Sequence, residues 1–438
     1  MLSLIAITLY FVEIGGVLIL SLMGKIYLSL LLVIPLFPLQ NVVERFHKFP
    51  LGKDIIDILL IIIILCWGLR SSLNKEKLIE PTPFNKLIIV MAVFTFISLW
   101  WGTFYLRLPP PLSTSDLRVQ NWKNYMIFIL LYFIVVNNIK SIRQIKWLTL
   151  AMALSMIIMD YYTVKQIGGM TGLVSREKIS GTFQWTGVNV LAAFYAQYIL
   201  VLLGIIIIYR KAFYDFLFGS LVIVGLYITL FLYSRGAYLA LFGGIVVLSL
   251  IKKKVILIPL ILFLLFWQTI LPKTVVERIN YTQSEEGNLD SSSQGRLELW
   301  KEGLALFKKS PLVGIGFSSI SIVGLSSGYK DTHNIYIKIL AEQGIIGISI
   351  ILLIFWLALK SGWKLYKNAD DKFLKGLGLG FTACVVATII SNGFGDRWTF
   401  LQIGAFFWVF LALVERGNLL VKIEDEKLRR QEEEKKQC

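Results

Sequence analysis

The sequence predicts an all-α fold: a polytopic transmembrane helical bundle of 12–13 helices, with one long outward loop that contains an amphipathic helix. Of the 438 residues, 56% are hydrophobic, more than a soluble domain usually carries, and the mean hydropathy is +0.71. The apolar residues are gathered in runs long enough to span a bilayer. Residues 272–334 form a long polar interruption between two such runs.

The apolar runs, taken in chain order, give the helices. The first run has no basic segment before it and no small-residue cleavage site, so we interpret it as a retained span and not as a signal peptide. Three runs are short for a full span, which leaves the count at 12 or 13. The runs lie near residues 2–20, 26–40, 55–69, 85–106, 125–138, 145–163, 187–208, 214–233, 235–251, 254–271, 335–359, 376–393 and 398–414.

The basic residues between the runs predict the orientation. With thirteen alternating spans, the loops on one side hold 25 lysines and arginines, and those on the other hold 18, of which seven lie in 272–334. Because so long a segment is a poor topology signal, we leave its seven basic residues out. The two sets of loops then hold 25 and 11 basic residues, which predicts that 272–334 lies outside. We expect five segments: N-terminal transmembrane helices 1–174, central transmembrane helices 175–271, the outward loop 272–334, C-terminal transmembrane helices 335–414 and a cytoplasmic charged tail 415–438.

The outward loop has a readable pattern of its own. From residue 295, apolar residues recur at spacings of three and four, which predicts an amphipathic helix that ends at Ser310-Pro311. Its apolar side must rest on the bilayer interface or on the outer ends of the helices. Gly314 and Gly316 allow a tight path back, and Asp331 or Thr332 can cap the next helix. The apolar stripe consists of Leu297, Trp300, Leu304 and Phe307.

His333 is the candidate proton acceptor, because it lies where the loop re-enters the membrane and imidazole exchanges a proton readily near neutrality. The other histidine, His47, lies in a short basic loop and is interpreted as interfacial. Asn334, Lys338 and Glu342 follow on one helical face that descends from the rim. Lys338 and Glu342 can pair with each other, so a structural role is as good an interpretation as a catalytic one.

Two arginines can reach the same rim. Arg235 opens a helix at its outward end and Arg296 begins the amphipathic helix, and their planar guanidinium groups suit bidentate binding of phosphate oxygens. Another outward segment contains Arg176 and ends at Asn189, the start of a helix. Asp396-Arg397 lies in a short outward turn, where we interpret it as a salt bridge that fixes the turn.

Several function classes are excluded by what the sequence lacks. The net charge of +16 lies mostly in short loops between apolar runs, which is typical of topology signals and not of nucleic-acid binding. The cysteines, at 66, 384 and 438, show no metal-ligand spacing, and no carboxylate or histidine cluster predicts a metal site. No phosphate-binding glycine loop is present, so a transferase of this kind must take its donor from the membrane.

At these residues the chain resembles the O-antigen ligase and O-antigen polymerase superfamily of bacterial inner-membrane glycosyltransferases. The resemblance covers roughly residues 175–350, and its specificity comes from the order of the motifs along the chain. In order they are Gly181-Thr182-Phe183 with Asn189, Ser234-Arg235-Gly236-Ala237, Gly295-Arg296 with Trp300, Pro311-Leu312-Val313-Gly314-Ile315-Gly316, and His333-Asn334 with Glu342 and Gly344.

The resemblance implies a glycan donor carried on undecaprenyl diphosphate, transfer without a metal or other cofactor, and a bacterial inner-membrane location with the loop 272–334 in the periplasm. It implies that His333 activates the acceptor hydroxyl and that Arg235 and Arg296 bind the diphosphate. A single displacement would invert the anomeric carbon. Further residues are possible substrate-binding or structural groups: Asn189, Asn334, Lys338, Glu342 and Arg176.

Three functions remain open from the sequence. The first is a ligase that joins the lipid-linked glycan to lipid A-core, and the second is a polymerase whose acceptor is another lipid-linked glycan, with a protein-glycosylating enzyme as a variant. The third is a transporter of lipid-linked sugars, which should place its polar groups near the membrane midplane. The candidate residues gather at one rim instead, which favours an enzyme that works among membrane lipids and not on nucleic acid.

Overall fold

The computed structural model describes residues 2–50, 52–170, 173–252, 267–269, 273–280, 291–325 and 328–437. Within these residues the chain is helical, with turns and no strand, as predicted. The helices are α1 (Leu2–Leu22), α2 (Ile26–Val33), α3 (Gln40–Phe46), α4 (Ile55–Leu73), α5 (Asn85–Tyr105), α6 (Leu117–Asn138), α7 (Ile142–Gly168), α8 (Val188–Tyr209), α9 (Ala212–Phe231), α10 (Arg235–Ile251), α11 (Lys273–Asn280), α12 (Ser291–Lys309), α13 (Ile320–Val323), α14 (Ile335–Asn368), α15 (Lys372–Asn392) and α16 (Leu401–Gln437).

The protein is a multi-pass membrane protein. In the described part of the chain, nine helices are long and apolar enough to cross a bilayer, and a bent pair, Ile26–Leu36 with Gln40–Phe46, would make a tenth. Two shorter apolar helices, Ile7–Leu22 and Arg235–Ile251, account for two further predicted runs. The predicted run at 254–271 lies outside the described residues except for 267–269.

Two of the short runs have a local explanation. The run at 125–138 is the end of α6, which begins at Leu117 because the Asp116 side chain accepts from the Arg118 amide and caps the helix. The run at 26–40 is broken by its prolines, and the helical segments on either side of the break meet at 103°. The length of the apolar run therefore underestimated the length of α6, and it did not indicate the bend in the run at 26–40.

The centre of the bundle is formed by α8 and α15, which lie in close contact along small residues. A side chain on Gly204 would come within 2.3 Å of the Gly380 Cα, so the two backbones touch where no Cβ intervenes. Glycine contacts of this kind allow close helix packing in a bilayer, where association depends on van der Waals contact. At one end, Gln197 donates to Ser391 across the same interface at 2.8 Å.

The segment after α12 is anchored inside the bundle. α14 is broken at Gly344, whose φ of 63° is left-handed, and the carbonyls released by the break are used by the returning chain. The Ile315 amide donates to Ala341 at 2.9 Å and the Gly316 amide donates to Glu342 at 2.8 Å. The predicted tight path through the glycines is confirmed, and it positions the residues that lead to α14.

The amphipathic helix is also confirmed as α12, but its buried side differs from the predicted stripe. Leu299 is buried and Gly303 packs against Thr332 and Ile337, whereas Leu297 and Leu304 are each 40% exposed. The helix therefore rests on the start of α14, and the exposed leucines are free to face a bilayer interface. One side of α12 thus packs on the protein, and the exposed leucines leave another side for the bilayer interface.

Candidate functional site

Arginines from four different segments converge on one cavity of about 190 Å³ at the end of the bundle. They come from the segment before α8, the first residue of α10, the start of α12 and the turn between α15 and α16. Because these segments are far apart in sequence, only the fold brings the four side chains together. The cavity is lined by Arg176, Glu177, Asn189, Ala193, Tyr233, Ser234, Arg235, Gly236, Ala237, Arg296, Ser391, Phe394 and Arg397.

The buried Arg176 and the half-buried Asn189 form a hydrogen-bonded pair in this cavity. The Arg176 Nη2 donates to Asn189 Oδ1 at 2.9 Å, and its Nε donates to the Leu232 carbonyl at 3.3 Å. Arg176 also lies 3.3 Å from Glu177, whose side chain is exposed. Asn189 therefore orients an arginine from the first turn of α8, which is a more specific role than the helix-start position alone indicates.

Arg235 and Arg296 both line the cavity, as predicted for two residues at one rim. Arg235 follows Ser234 at the first turn of α10, where the unpaired amides of a helix start attract anions. The next residue is glycine because a side chain on Gly236 would lie 2.8 Å from the Phe394 Cβ. This close packing holds the start of α10 against the turn between α15 and α16.

Arg397 is a cavity residue that the sequence did not indicate as part of the candidate site. Its guanidinium donates to the Asp396 backbone carbonyl at 2.8 Å, so the predicted salt bridge between these neighbours is wrong. Burial and the nearby Arg296 lower the pKa of Arg397 to about 10 in spite of Asp396 and Asp331, so it remains a cation at neutral pH. An anionic ligand would stabilise a buried cation that lies beside another cation.

His333 lies beside this cavity and not in its lining. Its Nδ1 lies 3.3 Å from Asp331 Oδ2, and the ring packs edge-on against Tyr329 with the ring centroids 6.1 Å apart. Burial acts to raise the pKa of Asp331, but the hydrogen bond with His333 and the nearby cations outweigh it and lower the pKa to about 2. Asp331 also interacts electrostatically with Arg397, which connects the histidine to the cavity.

The Asp331–His333 pair has the geometry of an oriented base. A carboxylate at Nδ1 favours the tautomer with its proton on that nitrogen, which leaves Nε2 able to accept a proton. His333 has a φ of 51°, a left-handed conformation, and Asn334 then starts α14 by accepting from the amides of Tyr336 and Ile337. Asn334 is therefore the helix cap, in place of the predicted Asp331 or Thr332.

The predicted pairing of Lys338 with Glu342 is not observed. Lys338 Nζ donates to Asp396 Oδ2 at 2.9 Å, and Glu342 accepts from the Ile320 amide at 3.0 Å. Lys338 pairs with Asp396 because a buried carboxylate is stabilised by a cation. Glu342 instead accepts a hydrogen bond from a backbone amide of the returning segment. Both residues connect elements of the site and lie outside the cavity lining.

The fold thus gathers the predicted residues into two adjacent groups. Arg176, Asn189, Arg235 and Arg296 share the cavity, and His333 lies next to it through Asp331. The turn at Asp396-Arg397 had been noted in the sequence, but no local pattern indicated that its arginine joins the other three. Among the residues that the structure describes, no group of three His, Cys, Asp or Glu side chains could hold a metal ion.

Comparison with known proteins connects this geometry to a family. A family model described as O-antigen ligase matches residues 220–352, a segment that contains Arg235, Arg296 and His333. The exopolysaccharide production protein ExoQ of Rhizobium meliloti strain 1021 is 27% identical over 138 residues, which cover 28% of this chain and 31% of that protein. The resemblance inferred from the motifs is therefore confirmed for residues 220–352, which are similar to the O-antigen ligase family.

Proposed function

We propose that this protein is a membrane glycosyltransferase that moves a glycan from undecaprenyl diphosphate to the hydroxyl of an acceptor. The observation that carries the proposal is the cavity with four arginines next to the Asp331–His333 pair. Guanidinium groups suit the oxygens of a diphosphate, and an oriented imidazole suits a hydroxyl that must lose a proton. The family match and the exopolysaccharide relative both support a ligase-like or polymerase-like role at a membrane.

The proposed reaction is a single displacement at the anomeric carbon. The acceptor oxygen forms a bond to that carbon while the bond to the diphosphate oxygen breaks, and the electron pair leaves with the diphosphate. The acceptor proton moves to Nε2 of His333, and the Asp331 carboxylate stabilises the imidazolium that forms. Arg235, Arg296 and Arg397 stabilise the charge on the leaving diphosphate. The configuration of the anomeric carbon is inverted, and no metal takes part.

The acceptor distinguishes two versions of the proposal. The family description favours a ligase, for which the acceptor is lipid A-core. The relative named for exopolysaccharide production favours a polymerase, for which the acceptor is a second lipid-linked glycan. We place the ligase first because the family match covers Arg235, Arg296 and His333, three of the residues to which the reaction is assigned, and we keep the polymerase as the second candidate.

The same cavity argues against a transporter of lipid-linked sugars. Its residues lie at the ends of α8, α10 and α15, whereas a transport site lies near the middle of a membrane and opens alternately to both sides. For an enzyme we propose the bacterial inner membrane, with residues 272–334 in the periplasm and the tail after α16 in the cytoplasm. The excess of basic residues in the opposite loops supports this orientation.

A direct assay decides between these functions. Purified protein is incubated with an undecaprenyl-diphosphate-linked glycan and either lipid A-core or a second lipid-linked glycan, with the His333→Ala protein as the control. Sugar on lipid A-core identifies a ligase, and an elongated lipid-linked glycan identifies a polymerase. If neither acceptor gains sugar while the donor crosses the bilayer of a proteoliposome, the protein is a transporter and the proposed reaction is wrong.

A further inference from the structure

A second cavity, of about 250 Å³, lies at the opposite end of the bundle from the arginine cavity. α7 begins two residues after Lys140, which lines this second cavity, and ends at Gly168, from which the chain leads to Arg176. α15 runs in the same direction, because Asp371 at its start pairs with Lys146 near the start of α7 at 3.0 Å. The two cavities therefore lie at opposite rims of the membrane-spanning bundle.

The second cavity is strongly basic. Four cations line it, Lys25, Arg70, Lys77 and Lys140, against the single carboxylate of Glu76. In the described part of the chain none of the four cations forms an ion pair with a carboxylate. The cavity therefore has positive charge in excess of what the protein itself neutralises, which favours an anionic ligand.

The charge of Lys140 is affected by its surroundings. Burial and the nearby Arg416 lower the pKa of the Lys140 ammonium, and Glu80 and Glu76 act in the opposite direction. Lys140 thus holds its proton less firmly than an ordinary lysine, chiefly because of burial and also because of the nearby cations. An anion in the cavity would restore part of that balance.

The surroundings of the cavity indicate what kind of anion fits. Tyr27 and Trp67, which are half-buried, line it beside the cations, and such side chains favour the interface of a bilayer. Leucine and methionine side chains next to Lys25 and Arg70 in sequence are more than half exposed and continue as an apolar surface. They are Leu22, Met23, Leu69 and Leu73. A ligand with a charged head and apolar chains would match both features.

We propose that this cavity binds the phosphate head group of an anionic phospholipid, with the acyl chains of the lipid lying along the exposed apolar residues of α1 and α4. Basic pockets between membrane helices commonly hold such head groups. The Arg70 guanidinium donates to the Gly24 carbonyl, which fixes it at the mouth of the cavity, while the three lysines surround the phosphate. The site is separate from the proposed glycosyl transfer and does not depend on it.

The test compares lipids with the same acyl chains but different head groups. The full-length protein in detergent is titrated with dioleoylphosphatidylglycerol, dioleoylphosphatidylcholine or inorganic phosphate, and the midpoint of thermal unfolding is recorded. We expect the phosphatidylglycerol to raise the midpoint at the lowest concentration. A triple variant, Lys25→Gln/Lys77→Gln/Lys140→Gln, should need on the order of a hundredfold more of this lipid. Arg70 is left unchanged because its bond to Gly24 is structural.

The matched control removes the same charge from the exposed tail, in Lys427→Gln/Arg429→Gln/Arg430→Gln. This control should respond to the lipid as the wild type does, and the protein purified from membranes should carry more bound phospholipid than the cavity variant. An equal loss in the control would show that only general surface charge attracts the lipid, and the proposal would be overturned. Equal stabilisation by inorganic phosphate or by the phosphatidylcholine would also overturn it.

Discussion

Lys338 Nζ donates to Asp396 Oδ2 at 2.9 Å, and this buried ion pair joins the first turn of α14 to the turn between α15 and α16. Asp396 further accepts from the Trp398 and Thr399 amides, so its carboxylate organises that turn. The same turn presents Arg397 to the cavity, while α14 begins directly after His333. The pair therefore fixes the spacing between the two groups of the candidate site.

The first prediction concerns this pair. Lys338→Met leaves the Asp396 carboxylate buried without its cation, and we expect a loss of about 3–5 kcal/mol of stability, as for other buried ion pairs. The measurement is the midpoint of thermal unfolding in detergent. Lys338→Met/Asp396→Asn should be less destabilised than the sum of the two single variants. A Lys338→Met protein as stable as the wild type would contradict the structural role.

The second prediction concerns His333. His333→Ala should reduce glycan transfer by about 10²–10⁴-fold, because it removes the proposed general base. Asp331→Asn should also reduce transfer, because the amide no longer favours the tautomer with a proton-accepting Nε2. Retention of donor by the purified variants, measured with a labelled lipid-linked glycan, should stay near the wild-type value. Ordinary turnover in His333→Ala would show that another group takes the proton.

The third prediction is the dependence of transfer on pH. The pKa of Asp331 is lowered to about 2. Its carboxylate therefore stays ionised through the pH range in which an ordinary aspartate is protonated, and it loses its charge only as the pH falls through about 2. Acidification from pH 8 to pH 5 therefore leaves Asp331 ionised, so the difference in transfer rate between the wild type and Asp331→Asn should persist over this range. A difference that disappears by pH 5 would show that the Asp331 carboxylate is protonated well above pH 2.

The fourth prediction concerns the arginines of the cavity. Arg235→Lys, Arg296→Lys and Arg397→Lys keep the charge but lose the planar pair of donors, so each should reduce transfer by roughly tenfold or more. The exposed Lys308→Gln, on the same helix as Arg296, is the control and should transfer normally. Wild-type rates in all three lysine variants would mean that the guanidinium geometry is not used.

The fifth prediction concerns orientation. In a Cys438→Ser background, Lys308→Cys on the exposed side of α12 should react with a membrane-impermeant thiol reagent in intact spheroplasts. Lys427→Cys in the tail should react only after lysis, since we place it in the cytoplasm. The remaining cysteines, Cys66 and Cys384, are buried and should give little background. The opposite labelling pattern would reverse the proposed topology and place the arginine cavity at the cytoplasmic rim.

The sequence by itself determined the class of fold and identified several residues of the candidate site. Each of the predicted apolar runs other than 254–271 overlaps a described helix, although the run at 26–40 is interrupted by a bend, because the length and polarity of a run are local properties of the sequence. The motifs at Arg235, Arg296 and His333 likewise predicted the matched family, and the spacing of apolar residues predicted α12.

The tertiary structure alone decided which residues meet. Lys338 could have paired with Glu342 one turn away, but the buried Asp396 carboxylate across the interface required its charge. Arg397 joined the other arginines because Phe394 packs on Gly236 and brings two distant helix ends together. Long-range packing and the need to neutralise buried charge set these contacts, and the spacing of neighbouring residues predicts neither of them.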